Sequence, residues 1–200
     1  MRYEPDKIYH IYNRGNNKQL IFFSDENYRY FLRKMGKQLL PYCNILAYCL
    51  MPNHFHWLVY IKRNLNTRPK PLSGQTNDLY LDMDPINRAM AILLSSYTKA
   101  INNQEHRTGS LFQSKTKGKL INNLNYALSC MHYIHQNPVR AGLVDKMEDW
   151  DYSSFKEFIG VWRDPIVDRI KTLDLFDIDL KKFINDSYMS IPDYQFEKNR

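Results

Sequence analysis

Eight consecutive residues, His54-Phe55-His56-Trp57-Leu58-Val59-Tyr60-Ile61, constrain the fold more than any other stretch of this chain. The run is rich in β-branched and aromatic residues, and successive side chains of a strand point to opposite faces. His54 and His56 therefore share one face, while Phe55 and Trp57 point the other way. Such a strand needs a sheet with one apolar face turned to a core and one face left for polar work.

The neighbouring sequence supplies the rest of that sheet. Lys7–Arg14 alternates β-formers and then meets Gly15-Asn16-Asn17, the punctuation of a strand end. Ser24-Asp25-Glu26-Asn27 reads as a helix N-cap with acids in the first turn, and Tyr28, Phe31, Leu32, Met35 and Leu39 follow at helical spacing until Pro41. Cys43–Tyr48 is a second β-rich run, linked to His54–Ile61 through Leu50-Met51-Pro52-Asn53. Residues 62–84 have no period and contain Pro69, Pro71 and Gly74, so they read as a long loop, usually functional or mobile at this length.

Pro85 opens a helix with Ile86, Met90, Leu93, Leu94, Tyr97 and Ile101 on one face. Gly109–Ile121 reads as a basic strand or extended segment, with Lys115, Lys117 and Lys119 at period two and so on one side. Residues 122–137 predict another helix, closed at Asn137-Pro138 because the residue before a proline disfavours the α conformation. Trp150, Tyr152, Phe155, Phe158 and Trp162 form an aromatic cluster around a short helix. This order predicts an α+β fold, an antiparallel sheet with helices packed on one face. One domain over residues 1–160 and a peripheral helical C-terminal extension over 161–200 complete the expected organisation.

Two hundred residues with 44% hydrophobic content suffice for one core. Fifteen Tyr, ten Phe and three Trp accompany 28 Lys and Arg against 21 Asp and Glu. Basic charge collects phosphate by counterion release and aromatic faces stack on unpaired bases, which points to nucleic acid. A basic protein with a Tyr-rich core fits the composition equally. Residues 161–200 hold seven basic and eight acidic residues, leaving 21 against 13 in the first 160, so the excess belongs to the sheet domain. Cys43, Cys49 and Cys130 form no CxxC pair, and ordinary buried thiols are expected. No apolar leader segment opens the chain and no stretch nears the roughly 18 apolar residues of a membrane helix, so a cytoplasmic protein without membrane contact is expected.

Two histidines one residue apart on a strand can share one cation, or can be a satisfied structural pair; the spacing alone leaves both open. A catalytic cation also needs a third ligand and open positions for substrate. Tyr133 and Asn137 stand four residues apart in the helix over 122–137 and so are neighbours on one helical face. A nucleophile and an oxygen ligand can arrive together there. Tyr126, seven residues earlier, is the rival nucleophile. His132 and His135 flank that face, and His135 reads either as a phosphate contact or as a partly exposed helix histidine.

Four segments in order give a more specific signal: Asn13-Arg14-Gly15, Met51-Pro52-Asn53-His54-Phe55-His56, Gly109-Ser110-Leu111-Phe112-Gln113, and Tyr133 through Gly142. Together they resemble the landmarks of the single-tyrosine HUH (Y1, IS200-like) transposases, over residues 7 to about 158. Asp149-Trp150-Asp151-Tyr152-Ser153-Ser154 is similar to the C-terminal signature of the REP-associated branch. The resemblance implies a ferredoxin-like HUH endonuclease fold. It also implies cleavage and rejoining of single-stranded hairpin DNA through a 5′-phosphotyrosine, with Mg²⁺ or Mn²⁺. Carried onto this chain, His54, His56 and Asn137 match the metal ligands and Tyr133 the nucleophile. Arg14, Lys115, Lys117 and Lys119 are candidate DNA contacts, as are Lys62, Arg63, Arg68 and Lys70 of the loop. Insertion-sequence members of the family work as dimers that exchange the tyrosine helix, whereas the REP-associated branch acts as a monomer, so monomer and homodimer both stand as expectations. Two other functions remain open: a hairpin-binding protein without turnover, and a metal-dependent phosphodiesterase that activates water.

Overall fold

Strand β3 (His54–Ile61) lies inside a four-stranded antiparallel sheet, as its alternation demands. The structure is a computed structural model that describes residues 2–63, 83–161 and 165–189. With β1 (Ile8–Arg14), β2 (Cys43–Met51) and β4 (Lys117–Ile121), the strand order is β2-β3-β1-β4. β2 extends past the predicted Tyr48 to Met51, because the link to β3 is only the two-residue turn Pro52-Asn53. The register sets Tyr12 opposite His56 and Lys117, Arg14 opposite His54, and His10 opposite Lys119. Directly opposed residues share a sheet face. The two histidines of β3, three polar or basic side chains of β1 and the lysines of β4 are thus collected on one side.

The other side is the main apolar layer. Helices α1 (Asp25–Leu39) and α2 (Pro85–Gln104) cover it, with the Phe31 ring centroid 5.6 Å from that of Phe55 and 4.9 Å from that of Tyr97. Asn27 closes the start of α1 by accepting the N–H groups of Phe23 and Ser24 at 3.0 and 3.2 Å, so the predicted N-cap is built as read. Helix α3 (Leu124–Arg140) lies against the opposite face, on β2 and β3. The α+β class follows the sequence, but the one-face arrangement holds for α1 and α2 alone. β2 is buried along nearly its whole length on both sides, which requires a second helical layer.

Two further boundaries depart from the sequence reading. β4 begins at Lys117, leaving Lys115 in the segment before it. Helix α3 does not stop at Asn137 but runs through Pro138 to Arg140. Asn137 supplies the reason: its amide Nδ2 donates to the carbonyls of Tyr133 at 2.8 Å and of Ile134 at 3.5 Å, and Ile134 is the carbonyl that Pro138 has no N–H to reach. The helix then closes in a Schellman motif, Leu143 N–H to Pro138 O and Gly142 N–H to Val139 O, with Gly142 at φ +66°.

Beyond residue 150 the chain returns to the sheet. Leu50 N–H donates to Tyr152 O, Ser154 N–H donates to Tyr48 O, and Ser153 bridges Cys49, so this segment lines the outer edge of β2. Helices α4 (Phe155–Phe158), α5 (Arg169–Phe176) and α6 (Leu180–Ser187) follow. They are packed into the body rather than set at its periphery: Thr172, Phe183 and Ser187 are buried, and α5 and α6 both touch α3. Arg68, Lys70 and most of the predicted 62–84 loop lie outside the described residues, as does Trp162. No described helix is long and apolar enough to cross a membrane.

Candidate active site

The site is assembled from backbone contacts among the sequence landmarks. Gly15 N–H donates to Asn53 O, and Ile21 and Phe22 N–H donate to Pro52 O, tying the end of β1 to the turn before His54. Gly15 also bridges Phe112, and Asn13 Nδ2 donates to Gln113 O at 3.2 Å and Thr116 Oγ1 at 3.0 Å. Only glycine fits at position 15, because a Cβ there would stand 2.2 Å from the Gln19 carbonyl oxygen. These contacts hold the β1, β3 and β4 ends together as the floor of one open cavity of about 660 Å³.

Tyr133 and Asn137 come down onto that floor from α3. The Tyr133 ring stands edge-on to His56, with centroids 5.7 Å apart and planes at 80°. The His54 and His56 rings are 5.1 Å apart. Phe55 between them is fully buried against Trp57 at 4.1 Å, so the opposite face of the strand anchors the pair. Because Asn137 turns its Nδ2 back onto its own helix, Oδ1 is the atom its side chain has left to offer. Tyr126 also lines the cavity, where Lys119 Nζ donates to its hydroxyl at 2.7 Å. Arg14, Lys115, Lys117 and Lys119 also line it, so these nine candidates share one space.

Several contributors were not legible in the sequence. His10 and Tyr12 of β1, Lys18, Asn53 and Arg140 also line the cavity. The Arg140 guanidinium lies 5.8 Å from the centre of the Tyr133 ring. His10 bonds His56 across 46 residues of sequence, and burial together with the nearby Lys119 charge pushes its imidazole down to about 3, so it stays neutral near pH 7. Spacing offers no signal for such a contact. Among the described residues the basic lining is Arg14, Lys18, Lys115, Lys117, Lys119 and Arg140, and no described Asp or Glu belongs to it. A space of that kind suits a polyanion.

Other candidates are placed elsewhere. His132 Nδ1 pairs with Ser187 Oγ and His135 Nε2 with Ser154 Oγ, both at 2.8 Å and both buried, so His135 is neither a phosphate contact nor partly exposed. Lys62 donates to Leu40 O and Arg63 pairs with Asp6, and neither lines the cavity. The three cysteines are buried and unbridged, with burial pushing the Cys43 thiol up to about 12.

Among the described residues no group of three or more His, Cys, Asp or Glu is arranged to hold a metal ion. A set that could hold one is mixed, the imidazoles of His54 and His56 with the amide oxygen of Asn137, and it would leave coordination positions for substrate.

No protein-family model matches the chain. A protein of Haemophilus influenzae described as "Putative REP-associated tyrosine transposase" is 27% identical over 110 residues, 55% of this chain and 57% of that protein. The chain is thus similar in sequence to a REP-associated tyrosine transposase. The match spans little more than half of the relative's length. A solved structure of a REP-associated tyrosine transposase bound to a REP hairpin shares the fold, with a TM-score of 0.58 and 16% identity over 84% of this chain and 92% of that one.

Proposed function

We propose that this chain cuts and rejoins single-stranded hairpin DNA, with Tyr133 as the nucleophile and Mg²⁺ or Mn²⁺ held by His54, His56 and Asn137. The observation that carries the reading is Tyr133 edge-on to His56 in a cavity that the described residues line with six basic side chains and no acidic one. The phenol oxygen of Tyr133 attacks the scissile phosphorus and the bond to the 3′-oxygen breaks. A 5′-phosphotyrosine forms and the released strand keeps its 3′-hydroxyl. A phenol with an ordinary pKa near 10 is a weak nucleophile at neutral pH. A divalent cation bound there withdraws charge from the phosphate and eases both attack and departure. Arg14, Lys115, Lys117 and Lys119 bind phosphates, and Arg140 beside the Tyr133 ring adds charge where the pentavalent phosphorus forms. The covalent link keeps the phosphodiester energy, so a 3′-hydroxyl reverses the step without ATP.

A phosphodiesterase that activates water would need a base near the phosphate. The described lining holds no carboxylate for that task, and Tyr133 would be superfluous. The related proteins' names point to REP hairpins as the substrate class. The test is incubation with Mn²⁺ and labelled single-stranded hairpins, followed by denaturing electrophoresis. A denaturant-resistant adduct is expected, abolished by Tyr133→Phe with hairpin affinity kept, and abolished by His54→Ala combined with His56→Ala. Binding without any adduct would leave a hairpin-binding protein without turnover, and an adduct surviving Tyr133→Phe would move the nucleophile to Tyr126.

A further inference from the structure

An imidazole holds a cation only through the ring nitrogen that lacks a hydrogen, and the partner of the other nitrogen decides which one that is. For His54 the preceding residue decides. Asn53 donates Nδ2 to the Lys18 carbonyl at 3.2 Å, which fixes the orientation of its amide because a carbonyl only accepts. Its Oδ1 lies 2.6 Å from His54 Nδ1. An amide oxygen also only accepts, so the His54 hydrogen sits on Nδ1 and Nε2 carries the lone pair.

His56 is held by another imidazole. Its Nδ1 lies 2.9 Å from Nε2 of His10, with the two rings stacked at 5.1 Å and 22°. His10 stands on the neighbouring strand β1, 5% exposed, where the sheet register fixes its distance from β3. One of these two nitrogens donates and the other accepts.

Resting on the metal-site reading above, we propose that His10 is a positioning residue that accepts the Nδ1 hydrogen of His56, so that His54 and His56 both present Nε2 lone pairs. The two ligands then reach the same tautomer through different partners, an amide oxygen in a turn and a third histidine in the adjacent strand. A hydrogen-bonded outer partner also fixes the angle of the ring, and loss of such a partner typically lowers metal affinity about 10- to 100-fold. A histidine at position 10 does this without adding negative charge to a cavity meant for DNA.

The direct test is the imidazole ¹⁵N spectrum of the metal-free, DNA-free wild-type protein. His56 Nδ1 is expected in the protonated range and Nε2 in the unprotonated range; a protonated Nε2 overturns the proposal. Mn²⁺ affinity by calorimetry is expected to fall about 10- to 100-fold in His10→Leu and to return largely in His10→Gln, whose amide oxygen can accept. Unchanged affinity in a folded His10→Leu also overturns it. Because the spectrum needs neither metal nor DNA, it separates failure of this assignment from failure of the transposase reading, which the adduct assay reports.

Discussion

At the scale of single residues, the two tyrosines of α3 are distinguished by what surrounds them. Tyr133 lies against His56 and shares its helical turn with Asn137, whereas the Tyr126 hydroxyl is engaged by Lys119. Tyr126→Phe is therefore expected to form the DNA adduct within about twofold of wild type, the scale of an ordinary surface change. Single-turnover adduct formation checks it, and a loss as complete as in Tyr133→Phe would reverse the assignment. The pairs His54/His56 and Tyr133/Asn137 were legible because strand and helix geometry turn spacings of two and four into shared faces. His10 was not, since a lone histidine in a strand gains its partner only through sheet pairing. Pro138 misled for another reason: the clash that disfavours the α conformation before a proline is a tendency, and here the carbonyl of Ile134 that the proline leaves without a donor is covered by the side chain of Asn137.

At the scale of elements, α3 carries the proposed nucleophile on one side and is docked on the other through buried histidines. His132 is pushed down to about 4 and His135 to about 3, in both cases chiefly by burial. Their folded pKa values lie below the ordinary 6.5, so between these limits the unfolded chain binds the extra protons. This contribution to stability is complete above about pH 6.5 and is lost as the pH falls toward 4 and 3, at roughly 1 kcal/mol per histidine per pH unit. Glu157, whose burial raises its carboxyl, acts in the opposite sense, so the histidine contribution is read as a difference. Urea unfolding at pH 7.5 and 5.5 should show a smaller loss of stability for His135→Gln than for wild type; equal losses would contradict it. The strands and long helices were readable from periodicity. The second helical layer was not, because the α3 pattern says which residues are apolar but not which face of the sheet receives them.

At the scale of the whole molecule, the positive charge that composition assigned to the first 160 residues is concentrated around one cavity. Binding of single-stranded DNA should weaken with salt by about 0.7 in log affinity per log salt for each phosphate neutralised. Replacing Lys115 and Lys117 together with alanine is expected to reduce that slope by about 1.4. Fluorescence anisotropy titrations across a range of KCl concentrations measure it, and an unaltered slope would remove these lysines from the DNA path.

Among the described residues none from Trp150 onward lines the cavity, yet this segment satisfies backbone atoms of Tyr48 and Leu50 on the flank of β2, and the Trp150 indole donates to Leu50 O. A gene copy truncated just before it would encode every proposed catalytic side chain and a bare, strongly hydrophobic strand flank. Unpaired flanks of that composition recruit other chains. Decay of such a gene from its 3′ end would therefore silence it by precipitation of the product, long before any mutation reached the codons of the site.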